Sequence, residues 1–438
     1  MKTQTLLLAL LLGACDKPTK PVAETPSAAP TPSEVPAPSA SIAAKNATPA
    51  VEMPADASAL AASSNAFAVD LWGKTNAGNQ AIAPVSIAAA LAMTYGGARG
   101  DTAAAMKKTL HLDAAPDAAM IAWGTVIRSL ASTREASLRV ANRLFGEKTY
   151  AFEQPYLDKT KAAFDAPLEP LDFKGAAEAS RARVNAWTSE QTNGKVPVIV
   201  PPGALGETTR LVLVDAMYFF GEWQTPFVKQ STSDEPFSVT AAQTKNVPMM
   251  HASEHLDFFD EDGASIVRLP YKASRPLAMI LVVPHKVDGL AGLEKALTAK
   301  KIARWASSSG THEEVELALP KFEIDPAAPI ALRSTLEALG MGVAFDEKKA
   351  DFSGIGKPPD PNERLHVDAV FHKAYVKVDE KGTEAAAATA VEMVAGTGMP
   401  LAPPKIVRAD RPFLFLLVDR ATGFVLFMGR VADPTSKG

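Results

Sequence analysis

From Leu211 to Phe220 the chain runs Leu-Val-Leu-Val-Asp-Ala-Met-Tyr-Phe-Phe, apolar at both alternating parities except at Asp215. A strand with one wet face would alternate, so this run predicts a strand covered on both faces. Leu138 to Phe145, Ala278 to Val283 and Phe413 to Val418 read the same way. Phe424 to Val431 is placed to pair back on 413–418 across Asp419-Arg420-Ala421-Thr422-Gly423. Other stretches carry the helical period: Leu60, Phe67, Leu71 and Trp72, then Ile87 to Met93. Asp101-Thr102 is placed to cap a helix carrying Met106 and Leu110. Strands and helices mix without regular alternation and without an internal repeat, so the expected class is α+β.

One segment fits neither period cleanly. Residues 380–389 read Glu-Lys-Gly-Thr-Glu-Ala-Ala-Ala-Ala-Thr. Taken as a strand, one face carries Thr383, Ala385, Ala387, Thr389, Val391 and Met393, all uncharged, while Glu384 and Glu392 share the other. No proline occurs from Lys381 to Met399, so every backbone N–H could join a ladder. Gly382 supplies a pivot, and the small side chains after it would slide between existing strands without overpacking. The same alanines would also suit an ordinary surface helix.

A series of motifs decides between these. In chain order they are Ala83-Pro84-Val85-Ser86-Ile87, Gly97-Ala98-Arg99-Gly100-Asp101-Thr102, Val184-Asn185-Ala186-Trp187-Thr188 and Thr192-Asn193-Gly194-Lys195-Val196. Then come Asp215-Ala216-Met217-Tyr218-Phe219-Phe220-Gly221-Glu222-Trp223, Val247-Pro248-Met249-Met250, Leu269-Pro270-Tyr271, Leu319-Pro320-Lys321-Phe322 and Arg411-Pro412-Phe413-Leu414-Phe415. Each alone is weak; together, in this order, they resemble the serpins over nearly the whole chain after residue 58. The resemblance implies three β-sheets, about nine helices and an exposed reactive-centre loop near the C-terminus.

It also implies a mechanism. A serine protease attacks the loop as substrate and forms an acyl-enzyme; the cut loop then inserts into the central sheet and carries the protease away before hydrolysis. The hinge of that loop maps to Glu380, Gly382, Thr383, Ala385, Ala387 and Thr389. Counted from the hinge, the scissile bond is Gly396–Thr397; counted back from Pro412 it is Leu401–Ala402. Gly396 would suit an elastase- or subtilisin-like protease, Leu401 a chymotrypsin- or subtilisin-like one. The family's polar cluster under the sheet maps to Ser86, Asp215 and His372, with aspartate where the family has asparagine. A protonated His372 paired with Asp215 would make sheet opening pH-sensitive; a neutral hydrogen bond would not. The alternative function is a non-inhibitory serpin acting as a binding or chaperone-like module. Such branches usually carry charge, bulk or proline in the hinge, and none is found here.

The 438 residues are 47% apolar and 21% charged, which suits a globular chain with a large core. A net charge of −4 gives no reason to expect nucleic acid. No Gly-x-Ser-x-Gly elbow or phosphate-cradling loop is present, so no enzyme activity and no cofactor is expected. His251 and His255 stand four apart, a spacing that could hold zinc on a helix, but without a metalloprotease glutamate; no metal is expected. Arg99-Gly100-Asp101 is read as a turn rather than an adhesion signal.

The N-terminal end changes the compartment. Lys2 precedes the apolar run Leu6 to Leu12, too short to span a bilayer and similar to a secretory signal. Leu12-Gly13-Ala14-Cys15 resembles a bacterial lipobox, in which cleavage precedes a cysteine that is then acylated. Cys15 is the only cysteine, so no intramolecular disulfide can form. Residues 17–57 hold nine of the 34 prolines and no aromatic residue, and are expected to form a disordered, extended tether. At ~3.1 Å per residue it would reach on the order of 120 Å. The expected organisation is a signal peptide at 1–14, a lipidated tether at 15–57 and a serpin domain at 58–438. The protein is expected to be an exported, membrane-anchored, monomeric lipoprotein on the periplasmic or extracellular face.

Overall fold

A computed structural model describes residues 51–75, 77–307, 310–383 and 403–438. Among them are nine α-helices and three sheets, of nine, seven and two strands. The long apolar runs all became strands: Ala136–Glu147, Leu211–Glu222, Leu277–Pro284, Phe413–Asp419 and Phe424–Val431, the last two as an antiparallel hairpin.

The seven-stranded sheet positions the site. Its order is Phe322–Ile324, Ala369–Asp379, Gly382–Thr383, Leu211–Glu222, Ala136–Glu147 and Glu169–Leu171, with Ile330–Ala331 also pairing with 369–379. Strand 211–222 is antiparallel to 136–147 but parallel to 369–379, from Val212 opposite Ala369 to Tyr218 opposite Tyr375. That parallel pairing is the seam at which the sheet would part.

The helix Pro84–Gly96 packs between this sheet and the larger one and is buried at every position. Its alanine-rich sequence explains how: only small side chains let a helix be covered all round without holding the layers apart. Pro84 opens it at a position where a missing N–H costs nothing.

Two local expectations are corrected. The helix Gly100–Thr109 begins one residue before the presumed cap pair. Gly100 takes a left-handed φ of 50°, so the turn is made there and Arg99 is the N-cap. Asp101 lies in the first turn, where its charge complements the helix dipole, and Thr102 Oγ1 accepts the Asp351 N–H at 2.9 Å. His251 and His255 lie on the strand Gln243–Glu261, and His251 Nε2 is 2.6 Å from Glu235 Oε1. Finally, residues 51–57 share in the fold although their composition groups them with the tether. The Val51 carbonyl accepts the Ser129 hydroxyl at 2.6 Å, and Ala57 opens the first helix, Ala57–Trp72.

Candidate functional site: the hinge and the seam

Above Tyr218 and Tyr375 the two parallel strands diverge, and Gly382–Thr383 fills the gap. Thr383 pairs with Gly221 on one side and Val378 on the other; Gly382 pairs with Glu222 and Asp379. The strand thought to be waiting outside the sheet has therefore already begun inside it. Gly382 is needed for close approach more than for pivoting. A Cβ there would fall on the Gly221 carbonyl oxygen and lie 2.8 Å from Glu222 Cα.

The turn before it is held from several directions. Asp379 Oδ1 accepts the Lys381 N–H at 2.9 Å, and the Lys381 carbonyl accepts the Trp223 N–H at 2.8 Å. The Trp223 indole donates to the Asp379 carbonyl at 3.0 Å, and the Glu380 carbonyl accepts the Phe227 N–H at 2.8 Å. The Glu380 carboxylate accepts from Thr232 Oγ1 at 3.0 Å and pairs with Lys321 Nζ at 2.8 Å. Burial opposes its charge, but the bonds from Lys321, its own backbone N–H and Thr232 outweigh that and hold the carboxyl below its ordinary value. Thr383 is fully buried, its hydroxyl 2.6 Å from that of Tyr271, and Tyr271 stacks on Trp223 with centroids 4.5 Å apart.

Lower in the seam, Ser86, Asp215 and His372 come together with Asn142. Asn142, Asp215 and His372 are facing neighbours across three strands, and Ser86 reaches up from the buried helix. Asp215 accepts from His372 Nδ1 at 2.6 Å and from the Ser86 hydroxyl. Asn142 Nδ2 donates to the Ser86 carbonyl at 3.0 Å. The Ala83 backbone N–H points at His372 Nε2 from 3.1 Å. Nε2 must therefore accept, which leaves the single ring proton on Nδ1. This arrangement is a neutral imidazole. Of the two alternatives for the pair, this geometry is the neutral hydrogen bond, because a proton on Nε2 would set two N–H groups against each other.

Asn142 was missed in the sequence, although a lone amide between Arg139 and Arg143 in the strand expected at 138–145 was the available signal. Trp223, Tyr271 and Lys321 sat inside motifs that carried no assigned role. Ala385, Ala387, Thr389, Gly396, Thr397, Leu401, Ala402 and Cys15 lie outside the described residues. The chain is described again from Pro403, and Lys405–Arg408 lies parallel to Thr311–Pro320 at the edge of the larger sheet.

A three-sheet α+β body whose central seam already holds the first residues of a C-terminal segment defines a class of conformational inhibitor. The family model for serpins (serine protease inhibitor) matches residues 62–434. Leukocyte elastase inhibitor A of Rattus norvegicus is 36% identical over 388 residues, 86% of this chain and 99% of that protein. Leukocyte elastase inhibitor of Xenopus laevis is 37% identical over 381 residues, 84% of this chain and 97% of that protein. Tengpin, a thermophilic serpin solved in its native state, superposes with a TM-score of 0.77 at 26% identity, over 88% of this chain and 96% of that one. The chain belongs to the serpin family of serine protease inhibitors, and it is not an enzyme.

Proposed function

We propose that this protein traps a serine protease by inserting residues 384–392 into the seam after cleavage. The observation that carries this is the register of Gly382–Thr383. Continued from Thr383 opposite Gly221 and Val378, the same antiparallel count sets Ala385 between Phe219 and Val376, and Ala387 between Met217 and Ala374. Thr389 falls between Asp215 and His372, and Glu392 between Val212 and Ala369, where the seam ends. Thr383, Ala385, Ala387 and Thr389 then share the inner face with Asp215, and Glu384 and Glu392 turn outward. Nothing charged would need burying. Thr389 would bring a hydroxyl, both donor and acceptor, to the two groups whose mutual bond it breaks.

The protease supplies the chemistry. Its serine oxygen attacks the carbonyl of the residue before the cut, an ester forms, and the new amine leaves with a proton. Insertion then competes with water for that ester. Gly396–Thr397 is the proposed bond, with Leu401–Ala402 the alternative. A glycine before the cut suits an elastase-type enzyme with a shallow specificity pocket, which agrees with the names of the relatives. Export with a lipid on Cys15, anchoring a monomeric domain to a bacterial membrane, is proposed from Leu6–Cys15 alone.

The test is to mix the protein with elastase, chymotrypsin, subtilisin and trypsin and run denaturing gels. A complex that survives denaturation, with a released peptide whose mass begins at Thr397, supports the proposal. Quantitative cleavage by every enzyme without any complex contradicts it and favours the non-inhibitory alternative.

A further inference from the structure

Beside the hinge anchor lies a cavity of about 320 Å³ that loop insertion does not use. One wall is apolar and includes Trp223, Phe227 and Leu256. The other wall is charged in an uneven way. Arg268 is 4% exposed, donates to Asp257 Oδ2 at 2.5 Å through Nη1 and to the Trp305 carbonyl at 3.1 Å through Nη2. Arg420 approaches the same carboxylate oxygen at only 3.5 Å, and its buried Nε has no hydrogen-bond partner among the described residues. Two guanidinium groups therefore share one carboxylate. Burial and the nearby Arg420 charge push the Arg268 guanidinium below its ordinary value, a tension that a second anion would relieve. Glu254 and Asp257, both on the lining, are the opposing groups, and His312 Nδ1 also lies 3.3 Å from Asp257 Oδ1. Burial pushes the Glu254 carboxyl above its ordinary value.

We propose that this cavity binds a small amphipathic carboxylate, with the carboxylate on Arg420 and Arg268 and the apolar body against Trp223 and Phe227. A guanidinium fork matches a carboxylate in shape as well as charge, and in a partly dry site such bonds are about twice as strong as neutral ones. The volume is at the low end of the roughly 300–1,000 Å³ usual for ligand sites, so the ligand is a monocarboxylate of one ring or a short chain. Trp223 links the cavity to the hinge, since it holds both the Asp379 and Lys381 carbonyls. A ligand packed on its ring braces the native hinge. Resting on the proposed trapping mechanism, occupancy then slows insertion and diverts inhibitor into cleaved product.

Titration of the full chain with 3-phenylpropionate by calorimetry and tryptophan fluorescence tests the site, with 3-phenylpropan-1-ol as the neutral control. Saturable one-to-one binding is expected, about tenfold tighter for the acid than for the alcohol, and about tenfold weaker in Arg420→Met. Absence of saturable binding, equal affinity for the alcohol, or an unchanged affinity in a folded Arg420→Met protein would overturn the proposal. The alcohol comparison needs no variant, so it stands even if Arg420→Met fails to fold. Neither readout involves a protease, so the binding site and the trapping mechanism fail separately.

Discussion

His372 Nδ1 donates a 2.6 Å hydrogen bond to Asp215 Oδ2 across the seam between the 211–222 and 369–379 strands. Both side chains are fully buried. With Nε2 turned to the Ala83 N–H, the ring has no free valence, and the seam is closed by a neutral donor on a carboxylate. A single bond to a charged acceptor is worth about 1.5–3 kcal/mol, enough to hold strands together and small enough for insertion to replace.

Asp215→Ala should destabilise the native form. It leaves the His372 Nδ1–H buried with no acceptor, at about 1–3 kcal/mol, while the Ser86 hydroxyl falls back on Asn142 Oδ1 at 3.2 Å. Urea unfolding should show a midpoint well below the parent's, and slow conversion to a more stable inserted form should quicken. Parent-like unfolding would mean that the cluster is not holding the seam.

Ala387→Arg should separate cleavage from trapping. In the extended register its guanidinium would enter between Met217 and Ala374, both buried and apolar. Stranding a charge there costs several kcal/mol, far more than one side chain's favourable burial. The variant should be cut at the parental rate yet yield cleaved inhibitor instead of complex. Densitometry of the two products reads that ratio, and an unchanged ratio would argue against residue 387 entering the sheet.

Gly382→Ala tests the part already inserted. The added methyl meets the Gly221 carbonyl, so residues 382–383 must leave their place and give up the Thr383–Tyr271 contact. The expected loss is about 1–3 kcal/mol, with a change in tryptophan emission because Trp223 anchors that turn. No shift in either quantity would show that the hinge tolerates expulsion at no cost.

The hinge should also loosen in acid. Glu380 has its carboxyl held below the ordinary value of 4.5. Its contribution to stability is thus complete above that value and is lost as pH falls through the lower folded-state value. Below about pH 4 the parent should lose part of its advantage over Glu380→Gln, and above pH 6 the gap between them should be flat. A gap that widens on acidification would reverse the assigned sign.

The apolar strands were legible because a strand covered on both faces has no other way to be written. The buried helix 84–96 was legible for a related reason, since only small residues permit it. Parity alone left the segment after Thr383 open between a strand and a surface helix, and the order of motifs along the chain decided for the strand. What parity could not reveal is how far insertion had gone, because that depends on tertiary partners. Tyr271, Trp223 and Lys321 come from three separate parts of the chain, and nothing local marks them as neighbours of residue 380. The histidine's protonation state was equally out of reach. It rests on a backbone N–H from Ala83, a donor that every residue but proline carries. The cap at Asp101-Thr102 was misplaced by one turn position because the glycine before it could bend where other residues would not.

The most direct measurement is thermal unfolding of the protein before and after a single cut within residues 384–402. Strand insertion adds ladder hydrogen bonds and buried surface to the central sheet, so the cut protein should melt well above the intact one. Ala387→Arg, cut at the same bond, should not. A cut parent that melts at or below the intact protein would contradict insertion, and with it the trapping mechanism proposed for this chain.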